Sequence, residues 1–362
     1  MRIIQLIDSL DAGGAEKMAV NYANSLATEI AFSGLVATRR EGVLRSQINA
    51  DVSYRYLNKK KSIDFKAIFK LRNFCKDNRV NFIHAHGTSF FIAVLVKLVM
   101  PSLKIIWHDH NGNRDTQSKF SNKVLWFSAI FFQGVIVVNQ RLKYWMINEL
   151  RSKNVIYLPN YTVVDAAQIT NTELNGAAGK RILHLANLRN PKNHSLLIAV
   201  ADKVQMSHPE WTFHMVGKDA EDSYSKGLKA AIKDMELGKT VYIYGQKNDI
   251  GNIISQSDIC VLCSTYEGLP VALLEYGIYG KPVVVTDVGE MPLIVKNGEN
   301  GFVVPSDNVE EFCTALTHLM DSTELRNRLG TALEQTILSD NSEKAVIANY
   351  LSWLKATENS KA

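Results

Sequence analysis

The stretch Ser264-Thr265-Tyr266-Glu267-Gly268-Leu269-Pro270-Val271-Ala272-Leu273-Leu274-Glu275, followed by Gly280-Lys281-Pro282-Val283-Val284-Val285-Thr286-Asp287, decides the reading of this 362-residue chain. It reads as the end of a buried strand, a turn marked by Gly and Pro, and a helix. Pro270 is expected at the first helical position, where its missing N–H would have had no partner. Gly268 lets another molecule approach the backbone closely. The first-turn amides, including those near Leu269 and Val271, are then left free at the positive end of the helix dipole, an arrangement that binds phosphate. Glu267 would stand just before this helix and Glu275 inside it, spaced to reach two ends of one elongated ligand. The plainer alternative is an ordinary strand–helix junction carrying two solvated glutamates.

Outward from this segment, apolar strand-like runs alternate with helical ones, which predicts parallel sheets with helices on both faces. The first series runs Ile3–Ile7, a helix from Ala15, Ala31–Thr38, a helix from Asp64, Asn81–Ala85, a helix from Ser89, Lys104–Trp107, a helix around Lys123–Phe132, and Gly134–Val138. A segment with little hydrophobic drive, Ala166–Gly179, reads as a linker. The second series is Arg181–Ala186, a helix from Asn193, Trp211–Val216, a helix from Ser223, Val241–Tyr244, a helix from Ile250, Ile259–Leu262, a helix from Val271, Pro282–Thr286 and a helix from Asn308. The expected organisation is an α/β chain of two Rossmann-like domains, 1–165 and 166–340, with a cleft between them. A terminal amphipathic helix, 341–362, carries Val346, Ile347, Tyr350, Leu351 and Leu354 on one stripe. Ligands of such sheets bind beyond the carboxyl ends of the strands.

The two glutamates separated by seven residues, with Gly-x-Pro after the first and the Pro282–Asp287 strand downstream, resemble the nucleotide-sugar motif of retaining glycosyltransferases of family 4. Gly13-Gly14-Ala15-Glu16, His84-Ala85-His86, His110, Lys192, Gly217, Gly245, Asp258 and Asn300-Gly301 follow that family's pattern in order, so the resemblance covers nearly the whole chain. It implies the GT-B fold, with the final helix returning to the first domain, an acceptor-binding first domain and a donor-binding second domain. It implies transfer of a hexose from a nucleoside-diphosphate sugar, a UDP-sugar being the leading expectation, with retention of configuration and no catalytic metal or other cofactor. The acceptor it implies is a glycan or lipid-linked sugar in cell-surface polysaccharide synthesis.

By the same resemblance Glu275 accepts from the ribose hydroxyls, while Glu267 and His110 lie by the transferred sugar. Gly14 faces the donor phosphate, and backbone near Gly217 and Gly245 holds the base. Lys192 and the amides around Gly268, Leu269, Pro270 and Val271 would meet the charge that builds on the leaving diphosphate. The family's usual diphosphate-binding Arg is here Asn187. Either Arg189 supplies that charge from two positions on, or Asn187 acts as a neutral donor. Glu267 is expected to take part in front-face substitution, with a covalent role as the alternative, and the histidine assignment could slide from His110 to His108.

Composition narrows the remaining classes. Hydrophobic residues make up 46% and charged residues 21%, as in ordinary soluble domains. No signal peptide or membrane span is read, so a cytoplasmic location is expected. Cys75, Cys260, Cys263 and Cys313 read as reduced core thiols. The net charge of +5 hides an asymmetry: residues 1–165 carry 23 Lys and Arg against 12 Asp and Glu, the remainder 18 against 24. Much of the excess lies between Asn58 and Lys76, where Ile63, Ala67, Ile68, Leu71 and Phe74 line one side of a helix with a basic outer face. That face suits anionic lipid at the inner surface of a membrane, or simply water. No nucleic-acid motif accompanies the charge.

Two rivals remain. His84-x-His86 and His108-x-His110 would each project along one face of a strand, and with Asp109 they could serve a metal-dependent hydrolase. A nucleotide-sugar epimerase of the same fold, or a sugar-nucleotide binder without catalysis, would share the second-half motif.

Overall fold

The computed structural model describes residues 1–111, 114, 123–161, 163 and 171–359. They form two compact units, Met1–Tyr161 with Glu343–Ala362, and Thr162–Ser342.

In the first unit the elements are β1 (Arg2–Ser9), α1 (Gly14–Ala27), β2 (Phe32–Arg40), β3 (Ser53–Tyr56), α2 (Phe65–Asp77), β4 (Phe82–His86), α3 (Phe90–Val99), β5 (Lys104–Asp109), α4 (Lys123–Ala129), β6 (Phe132–Val137), α5 (Gln140–Asn148) and β7 (Val155–Tyr157). The strands pair in parallel in the order β3-β2-β1-β4-β5-β6-β7. One sheet face packs against α2, α3, α4 and α5 through residues such as Ile83, Ile105, Trp107, Leu71 and Leu142. Against the other face lies α1, through Leu35, Ala37, Ala19 and Ala23. Asp64 caps α2 by accepting from the Ala67 amide at 3.1 Å, which starts the helix where the sequence places it.

Ala67, Ile68, Leu71 and Phe74 of the expected α2 stripe are buried, but Ile63 is not; it precedes the cap and is exposed, so the stripe begins one turn later. The helix expected around Lys123–Phe132 ends at Ala129, because Phe132 already pairs in β6. Strands β3 and β7 have no counterpart in the sequence reading.

The second unit contains β8 (Arg181–Leu185), α6 (His194–Val204), β9 (Thr212–Val216), α7 (Ser223–Asp234), β10 (Val241–Gly245), α8 (Ile250–Ser255), β11 (Ile259–Leu262), α9 (Val271–Ile278), β12 (Val283–Thr286), α10 (Met291–Ile294), β13 (Phe302–Val304), α11 (Val309–Asp321) and α12 (Thr323–Asp340). Its strands are again all parallel, in the order β10-β9-β8-β11-β12-β13. Both faces are covered, one by a cluster around Trp211, Phe213, Leu197 and Phe312, the other by one around Leu262, Leu273, Tyr276 and Ile337.

The helix expected from Asn308 is two helices, because the Ser322 hydroxyl accepts from the Leu325 amide at 3.1 Å and caps a new start. Of the segment read as a linker, 166–170 lie outside the described residues. Within 171–179, Thr172 is fastened to α8: the Asp249 carboxylate accepts its amide at 2.7 Å and its hydroxyl at 2.8 Å, and Leu174 is buried.

The last helix, α13 (Glu343–Asn359), belongs to the first unit. Trp353 donates its indole N–H to Asn154 Oδ1 at 2.8 Å and lies over Gly134, where a Cβ would come within 2.6 Å of its ring. Lys104 reaches Glu358 at 2.8 Å, and the Tyr350 hydroxyl meets His84 Nδ1 at 3.2 Å.

Candidate functional site

In the second unit the deciding stretch folds as a strand, a tight loop and a helix. β11 ends at Leu262, the loop runs over 263–270, and α9 begins at Val271. Pro270 is the residue before the helix, with φ −69° and ψ 129°, and not its first helical residue. Extended geometry there suits a ring that fixes φ, and it leaves the first-turn amides of α9 without a side-chain cap.

Neighbouring loops hold this one in place. The Thr286 hydroxyl donates to Ser264 O at 2.6 Å, the Thr265 amide to Pro191 O at 3.0 Å, and the Glu290 amide to Gly268 O at 3.0 Å. Gly289, at φ +61°, is where any side chain would strike the carbonyls of Glu267 and Gly268, so glycine is required for the approach. The Tyr276 hydroxyl accepts from the Leu185 amide at 2.7 Å, which ties α9 to the end of β8.

Lys192 closes a short 3-10 turn, Asn190–Lys192, between β8 and α6. Its ammonium forms an ion pair with Glu267, and the Ser264 hydroxyl donates to the same carboxylate oxygen at 2.8 Å. The two side chains are only 13% and 11% exposed, so the pair is shielded from solvent screening. Glu275 is half-buried in the second turn of α9.

The loops after β8 and β9 are zipped together. Ala186 and Leu188 donate to Val216 O and Lys218 O at 2.9 Å each, and Asn187 Oδ1 accepts the Lys218 amide at 2.8 Å. The Asn187 carboxamide is thereby engaged in shaping the loop, whereas Arg189 is exposed. Gly217 permits this closeness, since a Cβ there would collide with Ala186 O. Gly217 donates to Gly245 O at 3.0 Å, and Gly245, at φ +67°, borders a cavity of about 380 Å³ lined also by Asp219, Lys229, Ile243 and Tyr244.

In the first unit Gly14 opens α1, preceded by Gly13 in extended conformation. His84, His86, His108 and His110 stack on one sheet face, where Gln5 and Tyr22 join them. The pleat puts Asp109 on the opposite face, where Arg114 grips it with one bond of 3.0 Å and stacks over Trp107. Burial pushes the Asp109 carboxyl up, against the pull of Arg114. The hydrolase reading required Asp109 beside the histidines, and it is not there.

One nitrogen from each of His84, His86 and His108 lies within 4.8 Å of the others, so these three could hold a metal ion by spacing alone. Their nitrogens are, however, largely spent on hydrogen bonds: His84 Nε2 to His108 Nδ1 at 3.2 Å, His86 Nδ1 to His110 Nε2 at 2.8 Å and His86 Nε2 to Gln5 Oε1 at 2.8 Å. Burial holds all four imidazoles neutral, His110 down to about 3. Ser264, Gly289 and Gln5 escaped the sequence reading. Only Gly289, a glycine following a strand end, left a signal there.

The comparisons with known proteins fit this arrangement. Residues 12–162 match the family model described as Glycosyltransferase Family 4, and residues 169–336 match the one described as Glycosyl transferases group 1. The chain belongs to the family 4 glycosyltransferases. Similar proteins include an uncharacterized glycosyltransferase of Haemophilus influenzae, 22% identical over 87% of this chain and 88% of that protein. Another is the Escherichia coli UDP-Gal:alpha-D-GlcNAc-diphosphoundecaprenol alpha-1,3-galactosyltransferase, 26% identical over 71% of each chain. Among solved structures, Anabaena HepE in complex with UDP-glucose superposes with a TM-score of 0.80 at 16% identity, covering 98% of this chain and 100% of that one. The fold is GT-B, and the protein is a glycosyltransferase of glycan or polysaccharide synthesis.

Proposed function

We propose that this glycosyltransferase moves a hexose from a UDP-sugar to a glycan or lipid-linked acceptor, with retention of anomeric configuration and without a catalytic metal. The observation that carries the reading is the shielded Lys192–Glu267 pair beside the uncapped amino end of α9. Breaking the bond from the anomeric carbon to the diphosphate builds negative charge on phosphate and positive charge on the sugar ring. A cation, the amides at the helix start and a carboxylate held together serve both charges. When donor enters, Lys192 turns from Glu267 to the diphosphate, and Glu267 is released toward the sugar. Gly268, Leu269 and Val271 present backbone amides on either side of Pro270, which has no N–H of its own, and Glu275 takes the ribose hydroxyls, a pairing suited to an acceptor with two oxygens. His110 contacts a hydroxyl of the transferred sugar, and Gly14 keeps its loop small near the phosphate. The backbone at Gly217 and Gly245 takes the base, Asn187 shapes the loop, and exposed Arg189 supplies the second cation. The relatives' names, which include a UDP-galactose donor and a diphosphoundecaprenol acceptor, favour this donor and acceptor class.

The first unit also suits an anionic membrane. Among the described residues no helix is long and apolar enough to cross one. Phe65 and Phe69 of α2, Leu98 of α3, Phe127 of α4 and Ile130 just after it are exposed on the side of the helices that cover one sheet face, interleaved with Lys66, Lys70 and Lys123. Aromatic side chains between cations match a headgroup layer.

The reading is tested by incubating the protein with UDP-, GDP- and ADP-sugars and a panel of lipid-linked acceptors, followed by NMR of the product anomer. Inverted configuration would overturn the mechanism. Conversion of the donor to an epimer without transfer would favour the epimerase instead.

A further inference from the structure

Gln5, His86 and His110 are joined end to end by the two 2.8 Å hydrogen bonds described above, and the direction of those bonds can be derived. Gln5 sits in the middle of β1, fully buried, with its Oε1 against His86 Nε2. A carbonyl oxygen only accepts, so the proton of that bond lies on His86 Nε2. His86 is kept neutral by burial and carries one ring proton, so its Nδ1 is a bare lone pair. The bond from His86 Nδ1 to His110 Nε2 therefore takes its proton from His110. His110 is neutral for the same reason, and its own Nδ1 is then unprotonated. That nitrogen makes no hydrogen bond among the described residues, and His110 is half-buried at the carboxyl end of β5, where the sheet opens to ligand.

We propose that Gln5 and His86 are positioning residues that lock His110 in the Nε2-protonated tautomer, so that its Nδ1 accepts a hydrogen bond from a hydroxyl of the transferred sugar. The proposal rests on the reading of His110 as a sugar contact, and it adds direction to that contact. A group with an O–H at this position is bound, whereas an ether, a fluorine or a carboxylate there offers no proton and is rejected. A second chain runs alongside, Tyr350 to His84 to His108, and ends on a His108 Nε2 that is buried without a partner. It does not reach His110 by a hydrogen bond, so the two chains can be altered separately.

The test is a two-bond proton–nitrogen NMR spectrum of the full chain with labelled histidine, His110 being assigned by its loss in His110→Ala. The expected result is an unprotonated Nδ1 and a protonated Nε2. A protonated Nδ1 overturns the proposal, because it means that the Gln5 amide donates and the chain runs backwards; this measurement needs no variant that might fail to fold. In Gln5→Leu the two tautomers should mix, and kcat/KM should fall about tenfold, as for loss of one oriented hydrogen bond. A Gln5→Leu protein with the wild-type spectrum overturns the role of Gln5. Full activity in His110→Ala would instead remove the sugar contact, and with it the hydroxyl selection, while leaving the spectrum as predicted.

Discussion

Lys192 and Glu267, 75 positions apart in sequence, share an ion pair, and the Ser264 hydroxyl donates to the same carboxylate oxygen. The pair keeps each charge compensated, since an isolated buried charge would cost several kcal/mol. It also holds the cation and the carboxylate that the proposed mechanism uses in one place.

Lys192→Ala should lower kcat by about a hundredfold, the usual loss when one preorganised charge stabiliser is removed, while donor affinity changes much less. Single-turnover rates with saturating donor check this. A variant with near-normal kcat would remove Lys192 from the chemistry.

Because the two charges are coupled, Lys192→Met combined with Glu267→Gln should destabilise the fold less than the sum of the single changes. Urea unfolding of the four proteins measures the coupling. Simple additivity would show that the pair is held by its loops alone.

Acid should unfold this protein early. His84, His86, His108 and His110 stay neutral when folded, with pKa values held below the unfolded value near 6.5. Below about pH 6.5 the unfolded chain binds protons that the native chain refuses, so stability falls as pH drops from 6.5 toward the folded values. The slope is on the order of 1 kcal/mol per pH unit for each histidine. Denaturant midpoints at pH 7 and pH 5 test the sign, and a flat profile would contradict it.

Gly217→Ala should cost about 1–3 kcal/mol, because its methyl group would collide with Ala186 O and push apart the loops after β8 and β9. The same change should weaken the binding of nucleotide alone, read by calorimetry with UDP. Unchanged stability would mean that the loops part freely.

Vesicle binding should depend on both kinds of group in the first unit. Phe65→Ser with Phe127→Ser should weaken co-sedimentation with phosphatidylglycerol vesicles severalfold, and neutral vesicles should retain little of either protein. Equal binding to neutral and anionic vesicles would remove the electrostatic part of the proposal.

The parts legible in the sequence are those where local rules and burial agree. The Ile259–Leu262 run, Gly268, Pro270 and the valines at 283–285 announce a buried strand, a turn and a crossover; the strands form as expected, while Pro270 stands one residue before the helix and not at its first helical position. The second sheet could be counted almost to its edge. What escaped was at the margins: Ser53–Tyr56 and Val155–Tyr157 are short edge strands of half-exposed residues, without the apolar run that marks a central strand. The Thr323–Asp340 helix was merged with its predecessor because its cap, a single serine, interrupts the apolar pattern by only one turn. In the site, the His-x-His spacing indicates a shared face, yet Gln5 lies 81 positions from its partner His86 and Tyr350 lies 266 from its partner His84, and no local pattern connects them. The bond from the Lys218 amide to Asn187 Oδ1 joins the loops after β8 and β9, a pairing that only the fold supplies.

The return of α13 to the first unit also bears on how the protein is made. On the ribosome, Gly134 and Asn154 emerge about two hundred residues before Trp353, which completes their packing. The unit whose synthesis begins first is thus the last to be finished, and it must wait, with part of its interior uncovered, while all of its neighbour is translated.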